Sequence, residues 1–311
     1  MHTARRQPGQ NSVSKADATK PVNTALERMV CHIKEVSTLP HIALKLIRLS
    51  QDPNAQPQQL CNVLATDPVM TSRVMRCVNS SAYGLTHPVT NLHRAVCMLG
   101  YAQLRDLAMT ASVASVFKHN HSCGKYVRAK LWRHMVAVAI CSRMIAARCE
   151  LPEFEGVYLA GLLHDIGIIL IDQYEHNTFT QMMNHFPEHA GVNLALVEQG
   201  RLGYDHTMLG ARIADEWELA EPLHDAIRYH HQVDRYNGQH TRVLACVDLA
   251  NLVCTLRGWS SIGHQLVTAN QWSMEQLNLS TTDLQVINDD LSAEIKLNRE
   301  LIRSGMPSSH E

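Results

Sequence analysis

A long apolar run from Val157 to Ile171 is interrupted at its centre by a histidine and an aspartate. Apart from Tyr158, the pair His164-Asp165 supplies the only ionisable groups in this run. A stretch this apolar belongs inside a core, where an unpaired carboxylate would be neutralised or would cost several kcal/mol. The sequence therefore predicts a strong buried partner for Asp165.

Other histidines and one further aspartate also fall on apolar faces of helical patterns. His134, for example, shares a 3-4 spacing with Leu131 and Val138. Neutral imidazole is the commonest metal ligand, and carboxylates complete or bridge such sites. The residues predicted to form one buried metal centre are His134, His164, Asp165, His206, His230, His231 and Asp248.

Each of these residues also has a simpler interpretation when taken alone. A single histidine such as His134 or His206 is commonly a hydrogen-bonded core residue. The pair His230-His231 suits a solvated helix C-terminus, and Asp248 could cap a helix or pair locally. The remaining histidines lie in polar or loop contexts, and we assign them no site.

Composition narrows the possible functions. Among 311 residues, 45% are hydrophobic and the formal net charge is -1, so neither nucleic acid nor an anionic membrane surface is an expected partner. The nine cysteines form no C-x-x-C pair, which favours reduced thiols and a cytoplasmic location. The start is polar, without the pattern of a signal peptide, and no charge-free apolar run reaches the length of a membrane span.

The pattern of apolar residues predicts an all-α protein, a helical bundle in two parts, because strand signals are nearly absent. Asp67 and Pro68 mark a helix start, Gly100 a helical hairpin within 95–117, and Gly124 a junction. The predicted segments are a disordered tail (1–22), an N-terminal helical part (24–123), a second helical part with the candidate site (126–303) and a frayed C-terminus (304–311).

The second part resembles the HD superfamily of metal-dependent phosphohydrolases. His134, His164-Asp165 and Asp248 match its pattern of His, His-Asp and a distant Asp. His206 and His230-His231 resemble the extra ligands of the dinuclear branch called HD-GYP. That resemblance implies two ions, with Asp165 bridging them and the three extra histidines on the second.

Motifs in both parts resemble the HDOD family, the HD-related output domain of bacterial signalling proteins. These motifs are Leu39-Pro40, LATDPVM (64–70), VNSSAYG (78–84), AVCMLG (95–100), AGLLHDIG (160–167), GYDH (203–206) and IRYHH (227–231). The resemblance covers roughly residues 28 to 260. It implies an N-terminal HDOD helical subdomain, followed by an HD-like helical subdomain.

The resemblance implies a regulatory module acting through contacts with a signalling protein partner. Every HD ligand position is filled, which implies one or two divalent ions, of Fe, Mn, Zn or Mg. The chain departs from the catalytic pattern where Ile168 replaces a phosphate-contacting lysine and where no Gly-Tyr-Pro follows His231. Lys130 stands where some members have a glutamate ligand, which argues against a third ion.

The alternative is a metal-dependent phosphodiesterase or phosphatase, acting on a phosphate-containing small molecule such as a cyclic dinucleotide. Two ions about 3.5 to 4 Å apart activate water and clamp phosphate in such enzymes. Asp165 would then be the residue most directly involved. Lys130, Arg133 and Arg228 are candidates to replace the absent lysine, although solvated side chains are the simpler interpretation.

Overall fold

A computed structural model describes residues 24–36, 41–52, 54–80, 83–117, 121–151, 154–186, 193–260, 262 and 271–305. The predicted tail (1–22), the turns at Leu39-Pro40 and Pro53, and residues 306–311 of the predicted frayed end lie outside these ranges. Within them the protein is almost entirely helical, which confirms the predicted all-α class.

The described residues of the N-terminal part form six α-helices. Asp67 caps the fourth helix by accepting a hydrogen bond from the Met70 amide at 2.9 Å, and Pro68 begins that helix, as predicted. Gly100, at φ +80°, separates the fifth and sixth helices, so the predicted hairpin is present. The bounds are α1 Thr24–Val36, α2 His41–Gln51, α3 Pro57–Ala65, α4 Pro68–Val78, α5 Leu92–Leu99 and α6 Tyr101–Val113.

A short 3-10 turn, Ala114–Phe117, leads towards a two-stranded hairpin that the sequence pattern did not predict. The antiparallel strands β1 (Ser122–Cys123) and β2 (Tyr126–Val127) are joined through Gly124 at φ +52°. Two residues per strand are too few for a recognisable alternation. The hairpin occupies the predicted junction.

In the described residues, the second part of the chain begins with its longest helix and continues with ten more. Their bounds are α7 Arg128–Arg148, α8 Phe154–Leu163, α9 Ile166–Tyr174, α10 His176–Asn184, α11 Leu194–Leu202, α12 His206–Glu216, α13 Glu221–Tyr229, α14 Thr241–Leu256, α15 Gln271–Leu277, α16 Thr281–Leu297 and α17 Arg299–Ser304.

The central helix α7 is buried on almost every side rather than along one stripe. Val136, Ala137 and Ile140 lie outside the predicted face and are nevertheless fully buried. The reason is that α8, α14 and α16 all pack against α7. One contiguous apolar core runs from Leu26 to Ile302 and therefore joins the two parts.

In the described part of the chain, the helical stretch Gly156–Tyr174 is long and apolar enough to cross a membrane. Of its most apolar window, 89% is buried inside the protein, as expected of a core helix. The free thiols expected from the cysteine pattern are present at all nine cysteines.

Gly167 allows α9 to touch α12. A Cβ atom at this position would lie 1.9 Å from the carbonyl oxygen of His206, a backbone atom that cannot move aside on its own. We expect Gly167→Ala to reduce the free energy of unfolding by about 1–3 kcal/mol, since the two helices would have to separate. Thermal unfolding measures this change directly.

Gly200 provides the matched control, because it lies within α11 with no atom within 4 Å of an added Cβ. Gly200→Ala should leave the melting temperature unchanged or raise it, since alanine favours a helix by about 0.5–1 kcal/mol over glycine. Equal melting temperatures for Gly167→Ala and the parent protein would contradict the close contact.

Candidate metal centre

The predicted histidines reach the site from the middle of one helix, from a turn between two helices, and from the ends of two others. His134 lies in the middle of α7, and His164 and Asp165 form the turn between α8 and α9. His206 is the first residue of α12, and His230 directly follows α13.

The turn at His164-Asp165 allows two adjacent side chains to point into the same space. The helix stops at Leu163 and resumes at Ile166, so both residues are released from helical geometry. The break falls at the His164-Asp165 pair itself, and Gly167, two residues later, provides the close contact between α9 and α12.

The GYDH motif places His206 by standard helix-terminus chemistry. Gly203 ends α11 in the left-handed conformation at φ +81°. Asp205 caps α12 by accepting a hydrogen bond from the Met208 amide at 2.9 Å. His206 therefore enters the site from a fixed helix start.

The two oxygens of Asp165 face different histidines. Oδ2 lies 3.5 Å from Nε2 of His134 and 3.3 Å from Nε2 of His164. Oδ1 lies 3.7 Å from Nε2 of His206 and 3.2 Å from Nε2 of His230. Asp165 therefore separates the imidazoles into two groups, one for each oxygen.

These spacings suit ligands that share a metal ion. Zn–N and Zn–O bonds are about 2.0–2.2 Å, so neighbouring ligand atoms lie about 3.0 Å apart in an octahedral site and about 3.4 Å apart in a tetrahedral one. His231 joins the second group, with its Nε2 3.1 Å from Nε2 of His206. Around Asp165, two groups are able to hold an ion: His134, His164 and Asp165, and Asp165, His206, His230 and His231.

Hydrogen bonds to Nδ1 aim the other ring nitrogen into the site. Nδ1 of His134 donates to the carbonyl of Trp259 at 2.6 Å, and Nδ1 of His164 donates to that of Gly161 at 2.8 Å. Nδ1 of His230 lies 3.0 Å from the carbonyl of Ile227. A carbonyl only accepts, so the proton stays on Nδ1 and the lone pair of Nε2 faces Asp165.

Buried atoms without hydrogen-bond partners indicate that a ligand belongs here. Nε2 of His134, His164 and His230 and Oδ1 of Asp165 are buried and have no hydrogen-bond partner. Their residues are at most 2% exposed. Such unpaired groups cost free energy unless something binds them, and imidazole nitrogens with a carboxylate are a good donor set for a divalent metal. The residues present therefore fit a metal ion.

Burial and neighbouring charges set the protonation of the site. Burial lowers the pKa of His134 to about 4 and also lowers the pKa of His230. Burial and the neighbouring His230 ring hold the pKa of His231 well below its ordinary value. Burial alone would raise the pKa of Asp165, but the His164 and His230 rings hold it well below the ordinary range. The lowered pKa values keep His134, His230 and His231 neutral, which is the protonation state that metal binding requires.

Glu198 is a site residue that sequence reasoning missed. Its Oε2 accepts hydrogen bonds from Nδ1 of His206 at 2.6 Å and from the His206 amide at 2.9 Å. Burial would lower the pKa of His206, but the Glu198 carboxylate raises it to about 9. The available signal was the position of Glu198, four residues after buried Leu194 on α11.

Asp248 lies apart from both groups, although it is also buried. Its Oδ2 accepts a hydrogen bond from the Ser273 hydroxyl at 2.5 Å. Burial raises the pKa of Asp248 to about 6. In the structure Asp248 therefore pairs locally, as one of the interpretations from sequence allowed. The role of Asp248 as a metal ligand stays a prediction.

The three basic side chains considered as phosphate contacts are either exposed or already in contact with other groups. Lys130 is exposed, the Arg133 guanidinium lies 5.4 Å from the ring centroid of Trp259, and Arg228 donates to the Thr207 hydroxyl at 3.0 Å. Ile168, at the position of the absent lysine, is fully buried.

The contact between Glu198 and His206 yields a test. We expect Glu198→Gln to weaken metal binding by about 10- to 100-fold. The neutral amide would hold the His206 ring less firmly than the negatively charged carboxylate of Glu198 does. Isothermal titration with Mn²⁺ or Zn²⁺ measures this change. Glu221→Gln, at an exposed glutamate of α13, is the control and should bind as the parent protein does. Unchanged affinity in Glu198→Gln would contradict the proposed orienting role.

Solved structures share this fold. An HDOD domain protein of unknown function from Geobacter sulfurreducens is 26% identical, with a TM-score of 0.75 over 90% of this chain and 97% of that one. A protein from Marinobacter aquaeolei VT8, provisionally named for signal transduction, is 24% identical, with a TM-score of 0.74 over 90% of this chain and 64% of that one. A Shewanella amazonensis SB2B protein, provisionally named a phosphohydrolase, is 21% identical, with a TM-score of 0.70 over 91% and 98% of the two chains.

An uncharacterized protein of Treponema pallidum (strain Nichols) is 22% identical over 226 residues. The match covers 71% of this chain and 42% of that protein, so the chain spans less than half the length of this relative. The HDOD domain family matches residues 36–233, nearly two thirds of the sequence. The chain therefore belongs to the HDOD family.

Proposed function

We propose that this chain is a bacterial cytoplasmic regulatory protein that carries a divalent metal in its HD-like centre. In this proposal it acts through contacts with a signalling protein partner. A nearly complete set of metal ligands lies near a buried isoleucine that cannot bind phosphate, and this combination supports the proposal. Asp165 lies among four imidazoles, whereas Ile168 stands where catalytic relatives place a phosphate-binding lysine.

The metal part of the proposal rests on the donor atoms. Five imidazoles and one bridging carboxylate favour Fe, Mn or Zn over Mg, because Mg²⁺ prefers oxygen ligands. The residues proposed to hold the first ion are His134, His164, Asp165 and Asp248, and those proposed for a second are Asp165, His206, His230 and His231. Asp248 would have to exchange Ser273 for the ion.

Two observations support a regulatory role: the histidines of the centre are buried, and a nearby arginine already has other contacts. His134, His164, His206 and His230 are each at most 2% exposed. Arg228, the candidate on α13, is already held by the Thr207 hydroxyl and lies over the Tyr229 ring. A net charge of -1 gives no support to nucleic acid or to an anionic membrane as partners. We retain the two-part division, 24–123 and 126–303, as part of this proposal.

A metal-dependent phosphohydrolase is the second candidate function. It is favoured because the two oxygens of Asp165 face different pairs of histidines. One carboxylate oxygen for each group of histidines is the arrangement that a bridging ligand between two ions requires. When bound, such ions would supply an activated water and charge stabilisation for a phosphate ester. Asp165 would hold both ions in place, and Glu198 would orient His206.

Metal content and turnover distinguish the two candidates. We expect the purified protein to hold stoichiometric metal and to hydrolyse neither bis(p-nitrophenyl) phosphate nor cyclic dinucleotides in the presence of Mn²⁺ or Fe²⁺. Asp165→Asn should lose the metal of this centre, since it removes the charge shared by both groups. Asp215→Asn, at an exposed residue of α12, should retain it.

Elemental analysis and a phosphate-release assay give the readouts. Turnover by the parent protein that disappears in Asp165→Asn would overturn the regulatory proposal in favour of the enzyme. Metal-free protein that fails to bind added Mn²⁺, Fe²⁺ or Zn²⁺ would overturn both.

A further inference from the structure

A second cluster of histidines and an aspartate lies at the other end of α9. Asp172, in the last turn of α9, is fully buried. Its Oδ1 lies 2.9 Å from Nδ1 of His121, which precedes β1, and 3.5 Å from Nδ1 of His176, the first residue of α10. Three separate elements therefore meet at one carboxylate oxygen.

The other oxygen of Asp172 is already occupied. Oδ2 accepts hydrogen bonds from the Tyr126 hydroxyl at 2.9 Å and from Nε of Arg128 at 2.7 Å. These two donors come from the hairpin and from the start of α7, and they fix the plane of the carboxylate. Oδ1 is thereby held towards the two imidazoles.

Oδ1 of Asp172 and Nδ1 of His121 are buried, and neither makes a hydrogen bond with proper geometry. They are close enough for an ion pair but are not aligned for one hydrogen bond. A buried carboxylate oxygen without a hydrogen bond is costly unless a ligand binds it. The missing hydrogen bond at Oδ1 is thus an observation separate from the clustering of residues.

We propose that His121, Asp172 and His176 form a zinc-class metal site distinct from the Asp165 centre. The three can each offer one ligand atom, and all these atoms lie within 4.8 Å of one another. Two imidazoles and a carboxylate are a ligand set that Zn²⁺ accepts, with a fourth position left for water. The exposure of the His176 side chain, 49%, leaves that position open to solvent.

Arg128 is the one feature that opposes a cation here, since its charge is close to the site. Its Nε donates to Oδ2, the oxygen turned away from the imidazoles, and so occupies the position of a group that orients a ligating carboxylate. His176 Nδ1 also lies 3.1 Å from the Asp172 carbonyl. An ion has to displace that contact, which is feasible for a half-exposed ring.

The proposed ion would fasten the hairpin to α9 and α10. Gly124 already places the hairpin turn against α10, since a Cβ there would lie 2.0 Å from the Met183 carbonyl oxygen. Asp172 is about 9 Å along α9 from Ile166, the residue that follows the Asp165 turn. The site would therefore stabilise the helix that leads out of the main centre.

Zinc content measured on an Asp165→Asn background tests the proposal separately from the main centre. After dialysis against Zn²⁺, we expect His176→Ala and His121→Gln each to lose about one equivalent of zinc relative to that background. His185→Ala is the matched control, because this exposed histidine ends the same helix outside the cluster and should lose none. The same two variants should weaken zinc affinity by more than about 10-fold in a competition titration.

Equal zinc content and affinity in His176→Ala, His121→Gln and His185→Ala would overturn the proposal. If His121→Gln fails to fold, His176→Ala decides the matter alone, since its side chain is half exposed. The main centre is disabled in every arm, so this outcome is independent of the proposed function.

Discussion

The carboxylate of Asp165 is 2% exposed and lies within 3.7 Å of the Nε2 atoms of four imidazoles. A buried charge of this kind is tolerated only where its surroundings compensate it. Two imidazoles face each oxygen with Nε2 atoms, and a cation bound between these atoms and the carboxylate would supply that compensation. Every element that meets at the centre is positioned by this requirement.

The helices are broken where the centre needs side chains. α8 and α9 are separated at His164-Asp165, α12 begins at His206, and α13 ends just before His230. A continuous helix would turn adjacent residues about 100° apart, so the break lets His164 and Asp165 point together. The contact of Gly167 with the His206 carbonyl then brings the two broken ends close enough to share ligands.

The helical class could be predicted, and so could the inward direction of the candidate side chains, because helical spacing shows which residues share a face. The structure brings six of the seven candidates together, and their role as ligands stays a prediction. The partners of those residues could not be predicted. Glu198 binds His206 across a helix boundary, and Ser273 binds Asp248 from a later helix, so neither contact has a fixed spacing in the chain. His121 and His176 were set aside as polar-context residues, since nothing in the sequence joins them to Asp172.

Ring protons held on Nδ1 turn the Nε2 atoms towards a metal beside Asp165. Anomalous diffraction from crystals grown with Mn²⁺ or Zn²⁺ would locate this ion and its ligand atoms. We expect anomalous density about 2.0–2.2 Å from an Asp165 oxygen and from Nε2, not Nδ1, of His164 and His134 or of His206 and His230. Metal-replete crystals with no anomalous density at Asp165, or with the histidines bound through Nδ1, would contradict it.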